Sequence, residues 1–111
     1  MEPVCKIWLQ GKNKAFGEGP CKLLKNVDEL GSLHQAAQDM NMSYSKAWSI
    51  IKTAEKELGF SLIERKKGGL GGGGSSLTPK AKTLIALFTK FNQEAQDTLI
   101  KLYKKHFEGF I

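Results

Sequence analysis

In the stretch Ser32-Leu33-His34-Gln35-Ala36-Ala37-Gln38-Asp39-Met40-Asn41-Met42-Ser43-Tyr44-Ser45-Lys46-Ala47-Trp48-Ser49-Ile50-Ile51, two helix starts stand eleven residues apart. Ser32 and Ser43 are N-cap residues, whose side-chain oxygen accepts from the backbone of the first turn. Between them Leu33, Ala36, Ala37 and Met40 fall on one side of a short helix, and Asn41-Met42 breaks it. After Ser43 the apolar stripe Ala47, Ile50, Ile51, Ala54 and Leu58 predicts a helix that ends at Gly59. Small residues where the helices cross let them approach closely. This is the helix-turn-helix pattern.

Upstream, Cys21, Leu23, Leu24, Val27 and Leu30 line one face of a helix over 19–30, with Pro20 in its first turn and Gly31 as its stop. Residues 4–10 alternate loosely and predict a strand; Gly11-Lys12-Asn13-Lys14 is turn chemistry, and Ala15-Phe16 returns as a short second strand. Downstream, Leu62-Ile63-Glu64-Arg65 and Leu77-Thr78 predict two strands around a basic, glycine-rich loop with six glycines in positions 68–74. A basic hairpin after the third helix is the wing of winged helix-turn-helix proteins. The plain alternative for the loop is a passive linker.

From Pro79 to 107 no Gly or Pro interrupts the chain, and Leu84, Phe88, Phe91, Ala95, Leu99 and Leu102 recur at spacings of 4, 3, 4, 4 and 3. That predicts a helix of about seven turns, ~42 Å long, which overhangs a body of roughly 75 residues. Its stripe is expected to meet a twofold copy of itself, unless it folds back along its own domain. The expected architecture is mainly α with small β-hairpins: a winged helix-turn-helix over 1–78 and a long dimerisation helix over 79–111.

The whole chain has 111 residues, the size of one domain, with 17 Lys and Arg against 11 Asp and Glu and a net charge of +6. A pI near 9.4 fits a polyanionic partner, nucleic acid first; a solvated basic surface is the alternative. Arg65 is the one arginine, so strong phosphate binding with modest guanine readout is expected. Apolar runs are too short to span a bilayer, and the N-terminus lacks the pattern of a signal peptide, so a cytoplasmic protein with no membrane partner is expected.

Catalytic and metal-binding constellations are absent. Cys5 and Cys21 form no CxxC and have no histidines at zinc spacing; they are expected to be reduced, partly buried thiols. His34 and His106 read as surface residues. The glycine run lacks the Gly-Lys-Ser/Thr of a P-loop. No enzyme activity, metal or cofactor is expected.

On the third helix, Tyr44, Ser45, Lys46, Ser49, Lys52 and Thr53 face outward, short polar or cationic groups suited to a groove. The expected DNA-binding set is Ser32, Ser43, Tyr44, Ser45, Lys46, Ser49 and Lys52, with Lys66, Lys67, Gly71, Gly72, Gly73 and Ser75 from the wing. Lys80 is a further candidate phosphate contact. The expected dimerisation set is Leu84, Phe88, Phe91, Ala95, Leu99 and Leu102. Trp48 and Trp8 read as structural, and Tyr44 as either a DNA contact or a ring packed on the turn.

Gly31-Ser32-Leu33, Ala36-Ala37, Met42-Ser43-Tyr44, Ala47-Trp48, Leu62-Ile63-Glu64-Arg65, Gly68-Gly69, the Gly71–Gly74 run and Leu77-Thr78 together resemble the N-terminal DNA-binding domain of the ModE family. These are bacterial molybdate-responsive regulators related to the LysR-type helix-turn-helix. Ser-Tyr-x-x-Ala-Trp and Gly-Gly-x-Gly-Gly-Gly-Gly are the specific elements, and the similarity runs over about residues 4–103. It implies a winged helix with a long dimerisation helix, operator binding through the third helix, and wing contacts to the adjacent groove or backbone. It implies that Ser43, Tyr44, Ser45 and Lys46 lead the recognition helix. The molybdate-sensing modules of that family have no counterpart before Ile111. The expectation is therefore a homodimeric regulator of transcription without its own effector domain, either constitutive, served by a separately encoded sensor, or responsive to another signal. The reading from a different class is a protein–protein interaction module built on the same scaffold and long helix.

Overall fold

The computed structural model describes residues 1–65 and 74–111. Along the chain run β1 (Trp8–Gln10), β2 (Lys14–Gly17), α1 (Glu18–Leu30), α2 (Leu33–Asp39), α3 (Tyr44–Leu58), β3 (Ile63–Arg65), β4 (Ser75–Leu77) and α4 (Pro79–Phe107). The strands form two separate antiparallel pairs, β1 with β2 and β3 with β4. In the second, Ile63 faces Leu77 and Arg65 faces Ser75.

The capping residues act as their chemistry dictates. Ser32 Oγ accepts from Gln35 N at 3.2 Å and Ser43 Oγ from Lys46 N at 3.0 Å. Gly31 and Gly59 close α1 and α3 in the left-handed region, at φ 73° and 84°, where a Cβ is unfavourable. Asn41 makes the sharp turn between α2 and α3 at φ 55°, a conformation Asn tolerates better than most residues. Thr78 N donates to Leu62 O, its hydroxyl donates to Ser61 O, and the same oxygen accepts from Ala81 N at the start of α4. The expected second strand therefore ends at Leu77, and Thr78 is the cap of the following helix.

One core joins all these elements. Leu23, Leu24 and Val27 of α1 meet Leu33, Ala36 and Ala37 of α2 and Ala47, Ile51 and Ala54 of α3, all at most 1% exposed. Phe16 of β2 enters the same core and meets Phe88 of α4 edge to face, ring centroids 5.2 Å apart, a favoured aromatic geometry. Leu30 was expected on the buried face of α1 but is exposed; at 100° per residue it lies roughly a quarter-turn from the middle of the buried sector.

Two other expectations change. The strand expected over 4–10 is confined to Trp8–Gln10, because β2 runs directly into α1 after Gly17 and leaves nothing for residues 4–7 to pair with. Of these, Cys5 lies beside α4, where Gln96 Nε2 donates to its carbonyl at 3.2 Å. Leu84 and Phe88, expected to face a partner helix, pack into the chain's own core. The register of α4 turns its first turns towards Phe16, so the stripe divides. Ala95 and Leu99 are half-buried, while Phe91 and Leu102 are 50% and 47% exposed.

Trp8 lies flat against Gly17, whose missing side chain makes the contact possible. A Cβ there would sit 2.7 Å from the indole. Gly17→Ala is expected to lower stability by about 1–3 kcal/mol through overpacking, read as a fall in the urea midpoint at unchanged m-value.

Candidate nucleic-acid interface

On α3 the buried residues are Ala47, Ile51 and Ala54. At 3.6 residues per turn, the row directly opposite is Ser45, Ser49, Lys52 and Lys56, all exposed. Lys46 and Thr53, also exposed, lie on the flank towards β1 and β2 and share with Trp8, Lys14, Met42 and Ser49 a cleft of about 370 Å³. Tyr44 and Trp48 lie on the flank towards β3. The outer surface of the helix is thus two serines, a threonine and three lysines. These are short hydrogen-bonding groups beside long cations, the composition that lets a helix enter a groove.

The α3 carboxylates do not oppose this surface as free anions. Glu55 Oε2 accepts the backbone N–H of Leu62 at 2.7 Å, and its other oxygen pairs with Lys52 Nζ at 3.3 Å. Glu57 accepts the backbone N–H of Asn13 in the turn between β1 and β2. Each acid fixes a neighbouring hairpin to the helix. Helical period puts both near the end of α3, but their partners are set by tertiary contact, 44 residues away for Glu57.

Trp48 joins α3 to β3. Lys52 Nζ lies 5.0 Å from its ring centroid and Arg65 Cζ 5.9 Å, within cation–π range. Trp48, read as structural from the sequence, thus bridges α3 and β3. Tyr44 packs between His34, at 5.7 Å, and Trp48, at 6.2 Å between ring centroids, yet keeps 40% of its surface exposed. Both alternatives read from the sequence therefore retain a physical basis. Ser32 is half-buried and Ser43 exposed; each oxygen accepts a backbone N–H, and each hydroxyl hydrogen can still donate. Lys80 is exposed, its Nζ 4.9 Å from the Phe60 ring centroid. Ser75 opens β4, with its N–H donated to Gly31 O at 2.8 Å. Lys66, Lys67, Gly71, Gly72 and Gly73 lie outside the described residues. Three exposed cations near α3 were not singled out from the sequence: Lys12, Lys14 and Lys56. Lys56 follows Lys52 by four residues, so helical period alone could have found it; the other two needed the fold.

The cysteines differ from each other. Both are free; Cys21 is buried and Cys5 exposed, not partly buried as expected. Burial raises the Cys21 thiol pKa, and Glu18 adds to that, against smaller lowering effects of Lys25 and a hydrogen bond with Thr89. No group of three or more metal-ligating side chains occurs among the described residues, and no described helix is long and apolar enough to cross a membrane.

Comparison with known proteins gives the following. Residues 21–82 match the model of the bacterial regulatory helix-turn-helix protein, lysR family. The DNA-binding transcriptional dual regulator ModE of Escherichia coli K12 is 39% identical over 103 residues, covering 89% of this chain and 39% of that protein. Transcriptional regulator ModE of Haemophilus influenzae is 39% identical over 67 residues, covering 60% of this chain and 26% of the relative. This chain thus spans well under half the length of either. Among solved structures, the CbnR DNA-binding domain in complex with DNA superposes with a TM-score of 0.57 at 21% identity, covering 72% of this chain and 86% of that one. The BenM DNA-binding domain on catB site 1 DNA gives 0.56 at 20% identity, covering 84% and 97%. At that identity the likeness shows the fold, a winged helix.

Two outcomes follow from the contacts around α3 and Cys21. Glu55→Ala strands the Leu62 N–H and is expected to cost about 1–3 kcal/mol, whereas Glu55→Gln, which keeps an acceptor, costs less; thermal melts of both separate them. In native protein one thiol, Cys5, should react quickly with a disulfide reagent, and Cys21 only after denaturation. Because the raised pKa keeps Cys21 protonated when the unfolded chain would ionise, its contribution to stability is present at neutral pH and is lost as pH rises beyond the ordinary thiol range.

Proposed function

Because this chain belongs to the lysR family of bacterial regulatory helix-turn-helix proteins, we propose that it binds double-stranded DNA sequence-specifically, as a homodimer, to regulate transcription. The observation that carries the reading is the outer row of α3: Ser45, Ser49, Lys52 and Lys56 stand exposed, while Glu55 and Glu57 are engaged with backbone amides of the two hairpins. The ModE relatives are named as transcriptional regulators, and the superposable CbnR and BenM domains are complexed with DNA. Both facts support it.

In this reading α3 enters the major groove from its N-terminal end. Ser45, Ser49 and Tyr44 contact base edges, and Lys46 and Lys52 the phosphates. Lys66 and Lys67, next in sequence to Arg65, supply further phosphate contacts. Lysine-rich contacts make affinity fall with salt through counterion release. The exposed Phe91 and Leu102, with Ala95 and Leu99 between them, form the remaining apolar stripe of α4, and a second copy covers it. Twofold symmetry then gives a pseudo-palindromic site with half-sites one helical turn or a multiple apart. Regulation by a separately encoded sensor is compatible with this reading. The same stripe also favours the second reading, in which a different protein docks on α4.

Selection of random duplexes at about 100 mM salt tests both. A symmetric motif is the expected outcome. Failure to recover any duplex at low salt overturns DNA binding and favours the interaction module. Ser45→Ala is expected to change the selected motif more than the affinity, and Lys66→Ala with Lys67→Ala to weaken selected and random duplexes alike. Phe91→Glu with Leu102→Glu, both on the exposed stripe, is expected to give a folded monomer in sedimentation; an unchanged mass removes the α4 dimer.

A further inference from the structure

The hairpin β1–β2 lies outside residues 21–82, the stretch matched by the lysR-family model. It is nevertheless fixed to α3. The Glu57 carboxylate accepts the Asn13 N–H, and Gly11 N donates to Asn13 O at 3.1 Å, closing the turn. Gly11 lets that carboxylate approach: a Cβ would sit 3.3 Å from Glu57 Oε1. Lys12, Asn13 and Lys14 are exposed at the tip. Lys14 Nζ lies 5.3 Å from the Trp8 ring centroid, and Trp8 is itself pressed on Gly17. The ammonium of Lys14 is thereby held over the cleft it shares with Lys46, Ser49 and Thr53.

A helix lying in the major groove has a phosphate backbone on either side, across a groove ~12 Å wide. On one flank of α3 stands Arg65 of β3, over Trp48. On the other stands Lys14 of β2, over Trp8. Each flank thus has a cation seated on an indole, carried by a hairpin that a glutamate of α3 anchors.

We propose that the β1–β2 turn is a second phosphate clamp, in which Lys12 and Lys14 bind the phosphodiester backbone of duplex DNA on the side of α3 opposite β3 and β4. This rests on the DNA-binding reading above. Phosphate contacts fix orientation and carry no sequence information, so the clamp sets how α3 sits in the groove and leaves the choice of bases to α3. Glu57 acts as a positioning residue: its carboxylate holds the backbone of Asn13, which stands between Lys12 and Lys14 in the sequence.

The test uses the full chain and fluorescence anisotropy on a duplex recovered by the selection, or on a mixed-sequence duplex if no motif emerges, across a series of salt concentrations. Each phosphate contact contributes about 0.9 to the slope of log affinity against log salt. Lys12→Gln with Lys14→Gln is expected to lower that slope by about 1.8 per bound protomer, about 3.6 for the dimer, and to leave the preference for selected over random duplex unchanged. Lys104→Gln with Lys105→Gln removes the same charge at the far end of α4 and is expected to leave the slope as in the unmodified protein. Glu57→Ala keeps both lysines and deletes an anion. It is expected to weaken binding, since the turn is released. An unaltered slope in the first variant, an equal drop in the control, or tighter binding by Glu57→Ala overturns the clamp. If the unmodified protein binds no duplex at any salt concentration, the DNA-binding reading itself fails, a result distinct from the other three.

Discussion

Three alanines set the spacing on which the molecule depends. Ala36 and Ala37 of α2 and Ala47 of α3 are all buried, at 0–1% exposure, and none extends beyond Cβ. The two helices can therefore approach closely, and Leu23, Leu24 and Val27 of α1 close the remaining space. A larger side chain at any of the three forces the helices apart, and core packing has little room to absorb that. This packing sets α3 against α2 and thereby the direction in which its opposite face is presented. The outer row of serines and lysines is a consequence of where the alanines are.

Around that fixed helix the hairpins seat Phe16 and Leu77 in the common core, and polar contacts from α3 tie them to it. Glu55 holds the segment entering β3 and Glu57 holds the turn after β1. A carboxylate accepting a backbone N–H is among the stronger neutral–charged hydrogen bonds, and it does a second service here by directing negative charge away from the outer row. Two tryptophans complete the arrangement, each carrying cations of its own flank. The turn after β1 and the strands β3 and β4 are thus defined in position.

The helices were legible in the sequence because their signals are local. Ser32, Ser43, Gly31 and Gly59 each act within one turn of their own position, and the periods of α1, α3 and α4 can be counted directly. The extent of the first strand was not legible, since pairing depends on the partner, and β2 ends where α1 begins. The roles of Glu55 and Glu57 were not legible for the same reason: an acid in the last turns of a helix reads as a solvated residue until its acceptor function is seen. The division of the α4 stripe is intermediate. Its apolar period is plain, but only the meeting of Phe16 with Phe88 tells which part is used within the chain. The outward row of α3 was largely legible, being the complement of a stripe that had to be buried.

Thr78 has a mechanical consequence. Its amide is bonded to Leu62, its hydroxyl to Ser61, and the same oxygen receives the amide of Ala81. One residue therefore ends the β3–β4 pair, ties it to the end of the α3 connection and starts α4, with no intervening loop to take up slack. The direction of a 29-residue helix is set within a few bonds of that pair. Leu84 and Phe88, seated in the core about two to three turns further on, hold that direction, so the exposed far half of α4 projects along a line fixed at both Thr78 and Phe88.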